Sequence, residues 1–302
     1  MHDTHESITF TADDGTRLMG TLHRPRPRRT ARVRVVINSE LGLGQGIYQD
    51  FASWLAHEAD ALVLTWDYRD MEASRRRGVR HSAARAVDWG KLDYPAAVEA
   101  LDTEDELLPL VAMGHGLGGV LMALSPVTLR LRGVVFVAAP RDTWGLWTAP
   151  ERWVRSALKR SLIPPVSRAL GYTPRQLGLG VDLPPQAGTT LARWGAHPDH
   201  LLGDPEHGRD AREVFRALTV PRMAYSFTDD QDASEEALEA LLAHMPTDRL
   251  YRRRIEPLVL GLRSLGHSGL FGVAAKSPLW DEIVEFLEDE VIPAVPSDIQ
   301  EP

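Results

Sequence analysis

The 302-residue sequence has no cysteine, which excludes disulfides, thiol nucleophiles and zinc–thiolate centres. No apolar run approaches the roughly 18 residues of a membrane span. The opening Met1-His2-Asp3-Thr4-His5-Glu6 lacks the apolar stretch of a secretory signal. The expected compartment is therefore the cytoplasm, with no membrane partner. Basic residues are in deficit, 34 Lys and Arg against 42 Asp and Glu, for a formal charge of −8. That balance argues against a nucleic-acid partner. The runs Arg75-Arg76-Arg77 and Arg252-Arg253-Arg254 are short and read as solvated faces or local ion pairs. The loop with Gly42, Gly44 and Gly46 carries neither G-x-x-x-x-G-K-[ST] nor G-x-G-x-x-G, so it reads as a turn and not as a phosphate cradle. His197, His200 and His207 lie close in sequence, but the Pro and Gly between them favour a loop, and no metal or cofactor is expected. What is present, 43% hydrophobic and 25% charged residues, describes a globular chain long enough to bury a sizeable core.

Ser7–Thr11 and Thr16–His23 alternate like two strands around the turn Asp13-Asp14-Gly15. Val33–Ile37, Ala61–Trp66, Leu108–Met113 and Val134–Ala138 are short apolar runs suited to strands buried on both faces. Tyr48–His57 and Leu92–Leu101 show helical spacing between them. This alternation predicts an α/β fold with a mostly parallel, doubly wound sheet, whose sites lie at the carboxyl ends of the strands. The pattern breaks from about Asp142 to Leu218. That stretch is too long for a structureless loop, so it reads as an inserted helical cap, with helical pieces at Pro150–Ser161 and Arg209–Leu218 and a turn at Asp182-Leu183-Pro184-Pro185. Strand Arg222–Phe227, helix Ser234–Ala243, strand Tyr251–Ile255 and helix Pro278–Glu288 complete the core. The expected layout is a core of residues 1–141 and 219–291, a cap of 142–218 and a flexible tail of 292–302.

The strand at 108–113 runs into Gly114-His115-Gly116-Leu117-Gly118 and then an apolar helix, the layout of a nucleophile elbow, G-x-S-x-G. Glycine stands where that motif carries its serine. The layout looks like that of a hydrolase, but Gly116 has no side-chain atom to attack a carbonyl.

Further motifs follow in order. They are Tyr48-x-x-Phe51-Ala52-x-Trp54-Leu55, Asp67-Tyr68-Arg69, Asp88-Trp89 with Asp93, Gly171-Tyr172-x-Pro174, Leu177-Gly178-Leu179-Gly180-x-Asp182-Leu183-Pro184, Arg193-Trp194, Ser226-Phe227-x-Asp229-Asp230 and Gly266-His267-x-Gly269-x-Phe271. On these, nearly the whole chain resembles a bacterial α/β-hydrolase family of predicted alpha/beta hydrolases. The resemblance implies an α/β-hydrolase fold with an inserted cap. It implies a histidine at His267 and a partner acid at Asp230, with Asp229 as the alternative. It also implies an oxyanion hole formed by the backbone N–H of Leu117 and that of Glu40 or Leu41, with His115 beside it. Two departures stand out: Gly116, and Asp70-Met71-Glu72 where the family has Gly-x-Gly.

Hydrolysis through an acyl-enzyme needs a covalent partner. The leading expectation is therefore non-covalent acid–base chemistry of epimerase, isomerase, cyclase or lyase type on a small carbonyl-containing metabolite. His267, held by Asp230, would take the proton while the N–H pair holds the enolate. Glu40 is a candidate second acid or base. The alternatives are a catalytically dead hydrolase that binds a ligand or acts as a scaffold, a serine esterase or thioesterase carrying an engineered Ser-to-Gly change at 116, and hydrolysis by water that His267 activates. Trp144, Trp147 and Trp153 are the candidate apolar surfaces of the cap. The expected partner is a small-molecule or short peptide-like substrate, and a homodimer remains an open option.

Overall fold

The computed structural model describes residues 5–140, 161–177 and 179–292. Among these, eight strands form one sheet in the order β1-β2-β4-β3-β5-β6-β7-β8, where β1 is His5–Thr11, β2 Arg17–His23, β3 Val33–Asn38, β4 Ala61–Asp67, β5 Leu110–His115, β6 Gly133–Val137, β7 Arg222–Phe227 and β8 Leu250–Ile255. β1 and β2 form the antiparallel hairpin read from the sequence, and β2 pairs antiparallel with β4. From β4 onward every pairing is parallel.

Parallel strands with helices on both sides must be apolar on both faces, and β3 shows how. Val33, Val35 and Ile37 point into one core, while Val36 points into the other. The first core is closed by Phe51 and Leu55 of helix α1 (Gln49–Glu58) and by Ile283 and Phe286 of the last helix, Asp281–Glu290. The second is closed by Val98 and Leu101 of helix α2 (Tyr94–Asp105), by the short helix α3 (Leu117–Leu121), and by Phe215 of the helix Gly208–Ala217. The helix starting at Glu235 begins on Ser234, whose side chain accepts from the Ala237 N–H.

The stretch between β6 and β7 is helical at 161–170, Pro185–Ala196 and Gly208–Ala217 among the described residues. The expected turn at Asp182–Pro185 is instead the entry to a helix. Pro185 occupies its first position, where a backbone N–H has no helical partner to lose. Most of the expected helix Pro150–Ser161, together with Trp144, Trp147 and Trp153, lies outside the described residues, as does nearly all of the expected tail. The Arg252-Arg253-Arg254 run lies on the edge strand β8, paired with Glu239, Glu282 and Glu235. No helix among the described residues is long and apolar enough to cross a membrane.

Asp70 and Glu72, which stand where the resemblance expects glycine, both keep a positive φ, +62° and +33°. The chain turns left-handed at both positions, and two acidic residues bear the strain.

Candidate active site

β5 ends at His115, and the chain turns at Gly116 with φ +51° and ψ −122° before entering α3. The Gly116 N–H donates to Val137 O at 3.0 Å, which ties the turn to β6. The turn is tight because α3 lies almost on the strand ends. A Cβ on Gly118 would stand 2.3 Å from the Asn38 carbonyl oxygen, so a side chain there is excluded.

Gly116 has a different neighbour. A Cβ built there would fall 1.3 Å from Glu40 Oε2. The Glu40 carboxylate thus occupies the space from which an elbow side chain would project. Its Oε2 accepts from the Leu117 N–H at 2.7 Å, and its Oε1 from the Leu41 N–H at 2.5 Å. Those are two of the N–H groups expected to form an oxyanion hole. The structure corrects that expectation in two respects. The Glu40 N–H does not face the hole, because it donates to Tyr48 Oη at 3.0 Å. The Leu117 and Leu41 N–H groups hold the chain's own carboxylate instead of standing open.

His267 faces this carboxylate. Its Nε2 lies 3.4 Å from Glu40 Oε2, and its Nδ1 bonds Asp230 Oδ2 at 2.8 Å. Asp230 rather than Asp229 is therefore the partner, its side chain fully buried. Its other oxygen accepts from the Asp232 and Ala233 N–H groups. Asp229 shapes the histidine loop, with Oδ2 accepting from the Leu265 and Gly266 N–H groups at 2.9 and 3.0 Å. Burial opposes charge on His267, but the hydrogen bonds and negative charges of Asp230 and Glu40 outweigh it and push its pKa up to about 10. Asp230 is correspondingly held below its usual range: burial pulls upward most strongly, but the bond and charge of His267 together with the Asp232 and Ala233 N–H groups outweigh it. At neutral pH His267 is an imidazolium between two carboxyl groups. A charged His267 is set to donate a proton, whereas the sequence points to one that takes it.

His115, one residue before the elbow turn, does not reach the site as a ligand-binding group. It is fully buried, and burial lowers its pKa to about 4, so it is neutral. Its Nε2 lies 3.0 Å from the His267 carbonyl oxygen, which can only accept. Nε2 therefore carries the proton, and Nδ1 accepts from Tyr48 Oη at 2.9 Å. Tyr48 Oη in turn accepts from the Glu40 N–H. One chain of hydrogen bonds runs from the backbone of Glu40 through Tyr48 and His115 to the backbone of His267. Tyr48 was readable only as the head of a motif, since nothing in its spacing announces a reach to His115.

Glu40, Leu41 and Leu117 open onto a cavity of about 110 Å³ also walled by Pro140, Leu179 and Leu191, with His200 on its rim. His200 is buried and carries a φ of +51°. Sequence reasoning set it aside as part of a loop, and only the fold brings that loop to the cavity. Asp230, Asp232 and His267 also place ligand atoms within 4.8 Å of one another. A metal there would have to break the Asp230–His267 bond.

No family model matches the chain, and no curated protein does. Solved structures do. The alpha/beta hydrolase GrgF from a Penicillium is 18% identical with a TM-score of 0.60, over 95% of this chain and 98% of its own. DcsB, in complex with its substrate analogue, is 12% identical with a TM-score of 0.63, over 96% of this chain and 100% of its own. A thermophilic esterase from Thermogutta terrifontis, malate bound, is 16% identical with a TM-score of 0.58, over 94% and 98%. The strand order and these likenesses agree. The chain has an α/β-hydrolase fold. Within that fold Gly116 sits at the elbow between β5 and α3, Asp230 follows β7 and His267 follows β8. The α/β-hydrolase scaffold brings Glu40, His267 and Asp230 together in a line, with a carboxylate at the elbow.

Proposed function

We propose that the protein is a non-covalent acid–base enzyme acting on a small carbonyl-containing metabolite, by a reaction of epimerase, isomerase, cyclase or lyase type. The observation that carries this reading is the line Glu40–His267–Asp230 over a glycine elbow. A proton donor and a proton acceptor stand side by side there, and the elbow position itself carries no hydroxyl for an acyl-enzyme. Glu40 takes the proton from the carbon α to the carbonyl. The His267 Nε2–H bonds the oxygen on which negative charge grows, and Asp230 keeps the imidazolium charged and oriented. Return of the proton from Glu40 to the neighbouring carbon completes an isomerisation, and return to the opposite face after the enolate has turned over completes an epimerisation, with no net change in atoms.

The test is proton exchange at the α-carbon of a panel of small ketones and oxo acids in D2O, followed by NMR. Exchange is expected with the native protein and not with His267→Ala or Glu40→Ala. Native exchange no faster than buffer would overturn the reading. One observation favours a second reading, ligand binding without turnover: the two backbone donors at the elbow are already satisfied from within.

A further inference from the structure

We infer that the elbow socket is a carboxylate-binding site held closed by Glu40, and that its ligand is a short apolar monocarboxylate that displaces the Glu40 side chain. The inference rests on the same reading of the Glu40–His267–Asp230 site and names the class of molecule it takes.

The argument begins with what Glu40 touches. Each of its oxygens accepts one backbone N–H, from Leu117 and from Leu41, and Oε2 also faces His267 Nε2. Two converging N–H donors and a cationic ring form a socket matched to a planar, two-oxygen anion. The occupant supplied by the chain is such an anion on a flexible stem. Its stem belongs to a loop after β3, and its carboxylate borders the cavity. The space it fills exists because residue 116 has no side chain, since a Cβ there would collide with Oε2 and with the Glu40 stem behind it. A glycine elbow and a resident carboxylate therefore form a matched pair.

Rotation of Glu40 away from Leu117 leaves the donors and the His267 edge facing the cavity. Among the described residues the walls beyond are mostly apolar, Leu41, Leu117, Pro140, Leu179 and Leu191, with His200 the one polar side chain besides Glu40. The volume of about 110 Å³ corresponds to roughly three or four groups of water size, at about 30 Å³ each. A carboxylate with a body of three or four carbons fits both limits. Once expelled, Glu40 stays on the same loop beside the bound molecule, where the acid–base reading needs its base. Because ligand and Glu40 compete for one pair of donors, the apparent affinity of the native protein is reduced by the fraction of time Glu40 holds the socket.

The experiment is calorimetric titration at pH 7 of the native chain and of Glu40→Ala with isovalerate, and with 3-methylbutan-1-ol as the neutral counterpart. Removing a resident that holds the socket nine-tenths of the time or more should tighten isovalerate binding at least about tenfold in Glu40→Ala. The alcohol should bind neither protein, and the Leu117 amide resonance should shift on binding. Should Glu40→Ala fail to fold, Glu40→Gln serves, because its amide N–H₂ cannot face a backbone N–H and the two-point grip is lost. Equal affinity of variant and native chain, no binding to either, or equal binding of the alcohol overturns the inference. Tighter binding by the variant, with no α-proton exchange by the native chain, leaves the ligand class standing and removes the acid–base reading.

Discussion

Two histidines lie with ring centroids 4.9 Å apart at the carboxyl edge of the sheet, and they hold opposite charge states. His115 ends β5 and is fully enclosed. Its ring nitrogens meet a hydroxyl and a carbonyl, and the more distant charges of Glu40 and Asp230 only partly offset the loss of water, so it titrates at about 4. His267, in the loop after β8, is also largely buried, but each nitrogen faces a carboxyl group and it titrates at about 10. Burial acts on both in the same direction. Partner charge separates them, which turns one ring into a neutral strut and the other into a resident acid.

The comparison can be broken most severely by removing what keeps His267 an acid. Replacing Glu40 and refilling the elbow, as in Gly116→Ser with Glu40→Ala, should convert His267 to a base for a serine nucleophile. Esterase turnover and labelling by a serine-directed probe should then rise by roughly 10³-fold or more over the native chain. Gly116→Ser alone should gain much less, because its Cβ meets the Glu40 carboxylate. Equal gains in single and double variants would mean that Glu40 does not occupy the site in solution.

Asp230→Asn tests the second half of the contrast. It removes the closer of the two partners, so the His267 titration should fall by about 2 pH units or more, read from its ring protons by NMR. A value still near 10 would assign the effect to Glu40 alone.

Stability against pH should carry both signatures with opposite signs. His267 is raised above its unfolded value, so its contribution is complete below about pH 6.5 and is lost as pH rises through about 10. His115 is depressed, so it takes nothing from stability above about 6.5. It removes on the order of 3 kcal/mol as pH falls to about 4, where the unfolded chain binds the proton and the folded chain does not. For this pair, stability measured by urea unfolding should peak near pH 6.5. His267→Gln should flatten the alkaline side and His115→Gln the acidic side. Flattening on the wrong side, or on neither, contradicts the assignments.

The smallest effect should come from Tyr48→Phe. It cuts the link between the Glu40 backbone and His115 and leaves two buried polar groups short of a partner, a loss of about 1–3 kcal/mol by denaturant unfolding. The His267 titration should hardly move, since no carboxyl group is lost. A large shift there would show that the strut also sets the charge.

The strands, the antiparallel hairpin at the start and the break in pattern after β6 were legible because burial on both faces imposes an apolar run and burial on one face imposes alternation. Helix Pro185–Ala196 was not, because Pro184-Pro185 reads locally as a turn, and burial of the face with Ala187, Leu191 and Trp194 shows itself only in the fold. The Gly116 elbow, Asp230 and His267 stand in the primary structure in their chain order, each tied to a strand end. Which of Asp229 and Asp230 meets the histidine was open in the sequence, because two adjacent carboxylates differ only in the direction that the turn after β7 gives them.

The sequence by itself determined the fold class, the missing side chain at position 116 and the candidates for acid and histidine, because these depend on residue type and on periodicity along the chain. The position of Glu40 was decided by tertiary structure alone. Its backbone lies 76 residues before the elbow in the chain, and its reach into the Leu117 and Leu41 donors depends on how β3 and β5 lie side by side. The charges of His115 and His267 were decided in the same way, since proton affinity in a protein interior is set by neighbours in space, which periodicity along the chain does not encode.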